Sequence, residues 1–132
     1  IQFEGEINFQ EIAMYYKQTN VFVFPSSCEN MPNILIEAMS AGLPIACSSL
    51  GPMPELLKDA GVYFNPYNVG EIKNSLEKLI LDSQLRERNS ILANQYSNKY
   101  TWEDSANKTL EFIQNSYIKY NNETNTSKSK FR

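Results

Sequence analysis

Apolar and polar positions run along this chain in two rhythms. Ile1 and Phe3 alternate with polar neighbours and stop at Gly5, which predicts a short strand. Phe9 to Lys17 carries Ile12, Ala13 and Tyr16 at helical spacing. Val21-Phe22-Val23-Phe24 is a continuous apolar run closed by Pro25, as expected of a parallel strand buried on both faces. Ile34 to Ala41 reads as a helix with Gly42 as its C-terminal stop. Pro44 to Cys47 is the next strand, Glu55 to Ala60 a short helix, and Val62 to Phe64 a further strand closed by Asn65-Pro66. Asn68 and Glu71 form a capping-box-like pair for a helix bearing Ile72, Leu76, Leu79 and Ile80. A helix over Ser83 to Tyr96 follows. Thr101 then caps a last helix with Trp102, Ala106, Leu110, Ile113 and Tyr117 on one stripe. From Asn121 the sequence is polar and low in aromatics, so a domain over residues 1–119 and a disordered polar tail over 120–132 are expected.

Short strands alternating with helices define an α/β class with a parallel sheet flanked by helices. Ligands of such sheets sit at the carboxyl ends of the strands, which places the loops after Gly5, Phe24 and Cys47 on one edge. The stretch after Phe24 is the chemically suggestive one. Ser26, Ser27 and Glu29 lead through Asn30-Met31-Pro32-Asn33 into a helix containing Glu37. A proline is tolerated in the first helical turn, and the amides of Asn33, Ile34 and Leu35 then point outward as an anion site. Glu29 and Glu37 lie eight residues apart. If all helical, that offset is ~12 Å, similar to a diphosphate between two sugar rings. One carboxylate then accepts from hydroxyls at each end, through charge-assisted bonds. The separation exceeds the ~5–9.5 Å of a hydrolase acid/base pair.

Composition narrows the field. Among 132 residues there is no histidine, which removes His-based metal sites and Ser-His-Asp triads. The net charge of −3 offers no field for nucleic acid. Cys28 and Cys47 fit no zinc or redox spacing and read as small buried residues in a reducing compartment, a disulfide being the alternative. No apolar run reaches the ~20 residues of a membrane span, and no signal peptide is visible. A cytoplasmic location is therefore expected, with the inner membrane face as a variant of it.

The pattern P-S-x-x-E-x7-E-A-M-x-x-G-x-P, a strand, then G-x-x-P-E stands here as Pro25-Ser26, Glu29, Glu37-Ala38-Met39, Gly42, Pro44, Gly51 and Pro54-Glu55. It resembles the family 4 (group 1) retaining glycosyltransferases of the GT-B fold, over nearly everything up to about residue 118. The resemblance implies a partial Rossmann-like sheet, the C-terminal half of a GT-B donor-binding domain. It implies transfer of a sugar from a nucleotide-sugar donor to a glycan or lipid-linked acceptor with retention, and no metal or other cofactor. Glu29 would be the catalytic-site carboxylate on the donor sugar. Asn30, Met31, Pro32 and Asn33 would line the sugar through their backbone, using only the carbonyl at Pro32. The Asn33 and Ile34 amides would take the phosphate, with Ser26 nearby. Glu37 would hold the ribose, and Ile7, just past Gly5, would meet the base. Many relatives carry glycines where this chain has Asn30 and Pro32.

The same resemblance makes this the C-terminal part of a longer enzyme. The acceptor-binding N-terminal half and a basic pair that neutralises the leaving diphosphate are missing partners, so weak donor binding and little turnover are expected of the chain alone. In the strand order 3-2-1-4-5-6 the strand at Ile1 would be the third, and is expected to be displaced or to slide in beside Val21–Phe24. The whole enzyme is compatible with peripheral membrane association. Plainer readings stand beside these. In these, Glu37 is a solvated surface acid, Glu29 a loop acid, Ser26 a turn cap, and Glu55 a helix N-terminal charge. Two other functions fit: a non-catalytic nucleotide-sugar-binding module, or a structural flavodoxin-like interaction domain.

Overall fold

The computed structural model describes the backbone of residues 2–129 and the side-chain surroundings of residues 2–121. Two compact units result, one ending at Lys99 and one beginning at Tyr100. The first holds a three-stranded parallel sheet of β1 (Phe22–Phe24), β2 (Ile45–Ser48) and β3 (Gly61–Phe64), in that order. Register runs Phe22 to Ile45 and Ile45 to Gly61. These are the apolar runs expected as strands, but β1 is not buried on both faces as expected: it is an edge strand of the sheet, with Phe22 and Phe24 half-buried and Val23 exposed. All four residues of β2 are buried, because it is paired on both edges and covered on both faces.

Helices α1 (Phe9–Gln18), α2 (Asn33–Ser40), α3 (Met53–Leu57), α4 (Val69–Leu81) and α5 (Ser83–Ser97) surround the sheet. Pleating sends Ala46 and Phe64 to one face, where they meet Leu79 of α4 with Ile72, Leu76 and Leu85 around them. α5 packs against α2 and α3. Asn94 of α5 donates to the Ser40 carbonyl at 2.8 Å, and the Ser90 hydroxyl donates to the Gly42 carbonyl. The expected stop at Gly42 is a Schellman turn. Its φ is +68°, and the amides of Gly42 and Leu43 reach the carbonyls of Met39 and Ala38. The Asn68–Glu71 pair also forms: the Asn68 side chain accepts from the Glu71 amide at 3.2 Å and donates to the Glu71 carboxylate at 3.0 Å.

Further expectations need correction. Residues 2–5 form no strand, and among the described residues none pairs with the outer edge of β1, since a strand exists only through a ladder partner and this segment has none. Residue 1 lies outside the described residues. The helix expected over Glu55–Ala60 is split into α3 and a 3₁₀ turn, Lys58–Ala60. Lys58 there has φ +49°, held by Tyr63 donating to its carbonyl and by Asp59, which accepts from Tyr96 at 2.7 Å and Arg88 at 2.8 Å. Cys28 is exposed and only Cys47 is buried, both as free thiols, because Cys28 lies in the loop after β1. Finally, the second unit is one helix, α6 (Trp102–Ser129), capped by Thr101 as expected. Its backbone continues past Asn121, since extending a formed helix costs far less than starting one. Residues 130–132 of the expected tail lie outside the described residues.

Burial pushes the Cys47 thiol up to about 12. A thiol reagent at about pH 8 is therefore expected to modify Cys28 alone, with Cys47 reacting only after denaturant is added. Thiol counting with and without denaturant checks this.

Candidate functional site

Parallel pairing puts the carboxyl ends of β1, β2 and β3 on one edge. The loop of residues 25–32 leaves β1 there, and residues 49–52 leave β2 beside it. Gly51 makes that neighbourhood possible. Its φ is +59°, a region costly for side-chain-bearing residues, and a Cβ there would stand 3.7 Å from the Glu29 carbonyl oxygen. The turn after β2 is further held by the buried Ser48 hydroxyl, which accepts from the Leu50 amide at 3.1 Å.

Glu29 is half-buried at the end of the first loop, followed by exposed Asn30 and Met31. Pro32 is buried as the N-cap of α2, and its carbonyl accepts from the Leu35 and Ile36 amides at 3.0 and 3.3 Å. It is thus engaged by the helix itself. Pro32 sits one position before the first turn, at φ −78° and ψ 86°, a φ within the range its ring imposes, and the Leu35 amide expected to point outward is taken up by its carbonyl. The amides of Asn33 and Ile34 come next and have no hydrogen-bond partner among the described residues. α2 has no side-chain cap and no acid in its first turn. By contrast, α1 and α4 each have an asparagine cap and a first-turn glutamate. Two free amides and a helix dipole make this end attractive to an anion, by about 0.3–1 kcal/mol from the dipole.

Glu37 lies on the second turn of α2, exposed, with its Oε2 accepting from the Tyr16 phenol at 3.0 Å. Burial and then this bond push the Tyr16 phenol up from 10.0 to about 12. The Ser26 hydroxyl donates to the Cys28 carbonyl at 3.5 Å, a weak turn contact. Gly5 and Ile7 lie on the segment leading into α1. There Glu4, beside Gly5, accepts from Tyr15 of α1 at 3.4 Å rather than from any group of the β1–α2 loop. One continuous run from β1 into α2 therefore gathers Ser26, Glu29, Asn30, Met31, Pro32, Asn33, Ile34 and Glu37. Gly5 and Ile7 stand on a different segment.

Sequence reasoning missed Tyr16 as a site neighbour, because its helical spacing with Ile12 marked it as packing. The available signal was a tyrosine in the helix just before an apolar strand. The sequence also holds no Lys or Arg between Lys17 and Lys58. The site can thus grip an anion through amides but cannot neutralise one from its own stretch of chain. Among the described residues no three of His, Cys, Asp or Glu cluster as a metal-holding group.

The family model described as glycosyl transferases group 1 matches residues 1–96. The chain is similar to a sulfoquinovosyl transferase of Arabidopsis thaliana, 31% identical over 80% of this chain and 22% of that protein. It is similar to O-antigen chain mannosyltransferase B of Escherichia coli, 27% identical over 83% of this chain and 29% of that protein. A sucrose-phosphate synthase structure from Thermosynechococcus elongatus superposes with a TM-score of 0.79 at 22% identity, over 89% of this chain and 30% of that one, which is a likeness of fold. The chain spans less than a third of the length of these relatives.

Two outcomes are expected. Gly51→Ala should destabilise the chain by about 1–2 kcal/mol through its left-handed backbone alone, since the Cβ itself meets only ordinary contacts; urea unfolding measures it. The Tyr16 phenol has its pKa raised on folding. The stability it contributes is therefore full below about pH 10 and lost as pH rises towards about 12. The stability advantage of the wild type over Tyr16→Phe should shrink between about pH 8 and pH 11.5.

Proposed function

The chain belongs to the group 1 glycosyl transferases, its three-stranded parallel α/β sheet having the fold of part of a GT-B enzyme, and from that premise we propose that it is the donor-gripping side of a sugar-transferring active site. The observation that carries this is the pair of unpartnered amides at Asn33 and Ile34, at an acid-free helix start between Glu29 and Glu37. The donor is a nucleotide-diphosphate sugar. Its diphosphate lies on the two amides, with Ser26 beside it. Glu37 accepts from the ribose hydroxyls. Glu29 accepts from the sugar hydroxyls close to the reacting carbon, with the backbone of Asn30 and Met31 alongside. Ile7 and Gly5 lie towards the base.

Transfer proceeds with retention to a glycan or lipid-linked acceptor, and needs no metal. The stretch from Gln18 to Leu57 lacks any cation, so the negative charge developing on the leaving diphosphate must be met from elsewhere. A basic pair and an acceptor-holding half in the same enzyme would supply this, and the chain alone would bind donor weakly and transfer little. Among the described residues no helix is long and apolar enough to cross a membrane. The enzyme is proposed to work in the cytoplasm, at the inner membrane face where its acceptor is lipid-linked.

Titrating UDP-, GDP- and ADP-sugars and the matching free nucleoside diphosphates by calorimetry tests the reading. Glu37→Ala is expected to weaken the sugar nucleotide and the free nucleotide alike, by about tenfold. Glu29→Ala should weaken only the sugar nucleotide. Binding unchanged in both variants would show that the acids serve solubility alone.

A further inference from the structure

Tyr16 joins three elements. From α1, its ring stands 6.0 Å from Phe22 of β1, tilted by 55°, and Phe22 in turn stacks on Phe24 at 6.3 Å and 15°. Its hydroxyl reaches across to α2 and donates to Oε2 of Glu37 at 3.0 Å. A phenol oxygen lies on the ring axis, so once the ring is seated against the strand the hydroxyl has one place to be. Packing alone does not explain this arrangement. α1 buries none of its residues, yet one of its aromatic rings is seated on β1 with its polar end on a carboxylate of the next helix.

We propose that Tyr16 is a positioning residue for nucleotide binding, holding one oxygen of Glu37 so that the other meets the ribose hydroxyls of a nucleoside diphosphate. This rests on the donor-site reading above, since it presupposes that Glu37 accepts from a ribose. Two physical consequences follow from a neutral donor in that place. The first is charge. A lysine or arginine would partly neutralise Glu37, whereas a phenol leaves its full charge for the ribose hydroxyls, where charge-assisted bonds are strongest. The second is freedom. A glutamate on an exposed helix face loses rotamers when a ligand fixes it, and Tyr16 removes them before the ligand arrives. Oε1 of Glu37 has no hydrogen-bond partner among the described residues, so it is available as the acceptor.

The experiment compares the wild-type chain, Tyr16→Phe, Glu37→Ala and the double variant. The probes are UDP, GDP and ADP, then the 2′,3′-dideoxy counterpart of whichever binds. Tyr16→Phe keeps the ring and its packing on Phe22, and thermal unfolding confirms that each variant is folded. The expected result is that Tyr16→Phe weakens the ribonucleotide about five- to tenfold while leaving the dideoxynucleotide within about twofold of wild type. In the Glu37→Ala background the same substitution should change nothing further. Equal weakening of both nucleotides by Tyr16→Phe would assign it a structural role and overturn the proposal. So would no weakening of either, or a full additional loss on top of Glu37→Ala. A wild-type chain that binds none of the three ribonucleotides overturns the donor-site reading itself, and the role of Tyr16 with it. A wild-type chain that binds while Tyr16→Phe matches it leaves the donor-site reading intact and removes only Tyr16.

Discussion

β2 is hydrogen-bonded on both edges and buried on both faces, with Ile45, Ala46, Cys47 and Ser48 all shut off from solvent. Because its two neighbours run parallel to it, every loop leaving a strand's carboxyl end must emerge on one side of the sheet. That places Pro25 to Pro32 next to Ser49 to Pro52, and it brings Gly51 against the backbone of Glu29. The first turn of α2 begins at the end of the same loop. The β1–β2 register pairs Phe22 with Ile45 and Phe24 with Cys47, so the two strands end within one residue of each other at that edge.

The electrostatics of that edge are unusual in one respect. Carboxylates stand at Glu29 and Glu37, free amides stand between them, and no basic side chain occurs in the sequence from Gln18 to Leu57. Such a surface suits a ligand that is anionic in the middle and rich in hydroxyls at both ends. The dipole of one short helix supplies only about 0.3–1 kcal/mol towards an anion. In the proposed complex the hydroxyl contacts would therefore provide a large part of the grip, and the bond from Tyr16 to Glu37 would matter for that reason.

Much of this was legible in the residues. The three apolar runs became the three strands, Gly42 became the Schellman stop of α2, and the Asn68–Glu71 pair became a working cap, because each is a local rule acting on a few neighbouring residues. What the sequence hid was non-local. Alternation at Ile1 and Phe3 suggested a strand, but a strand needs a ladder partner and residues 2–5 have none. Lys58 adopts its left-handed backbone amid contacts from Tyr63, Tyr96 and Arg88, the last two reaching it through Asp59 from α5. The exposure of Cys28 and the bond from Tyr16 to Glu37 depend on how α1, β1 and α2 meet, which no periodicity encodes. The residues of the β1–α2 run could be read as one group because they are contiguous in the chain. Tyr16, 21 residues before its partner, was not.

The central claim is that the free start of α2 receives the diphosphate. Amide proton–nitrogen NMR during titration with a nucleoside diphosphate tests it most directly. The account predicts that the Asn33 and Ile34 amides shift furthest and saturate with the binding isotherm. Largest shifts instead at the α4–α5 elbow, around Lys78 and Asp82 to Leu85 where an open groove lies, with Asn33 and Ile34 unmoved, would contradict it.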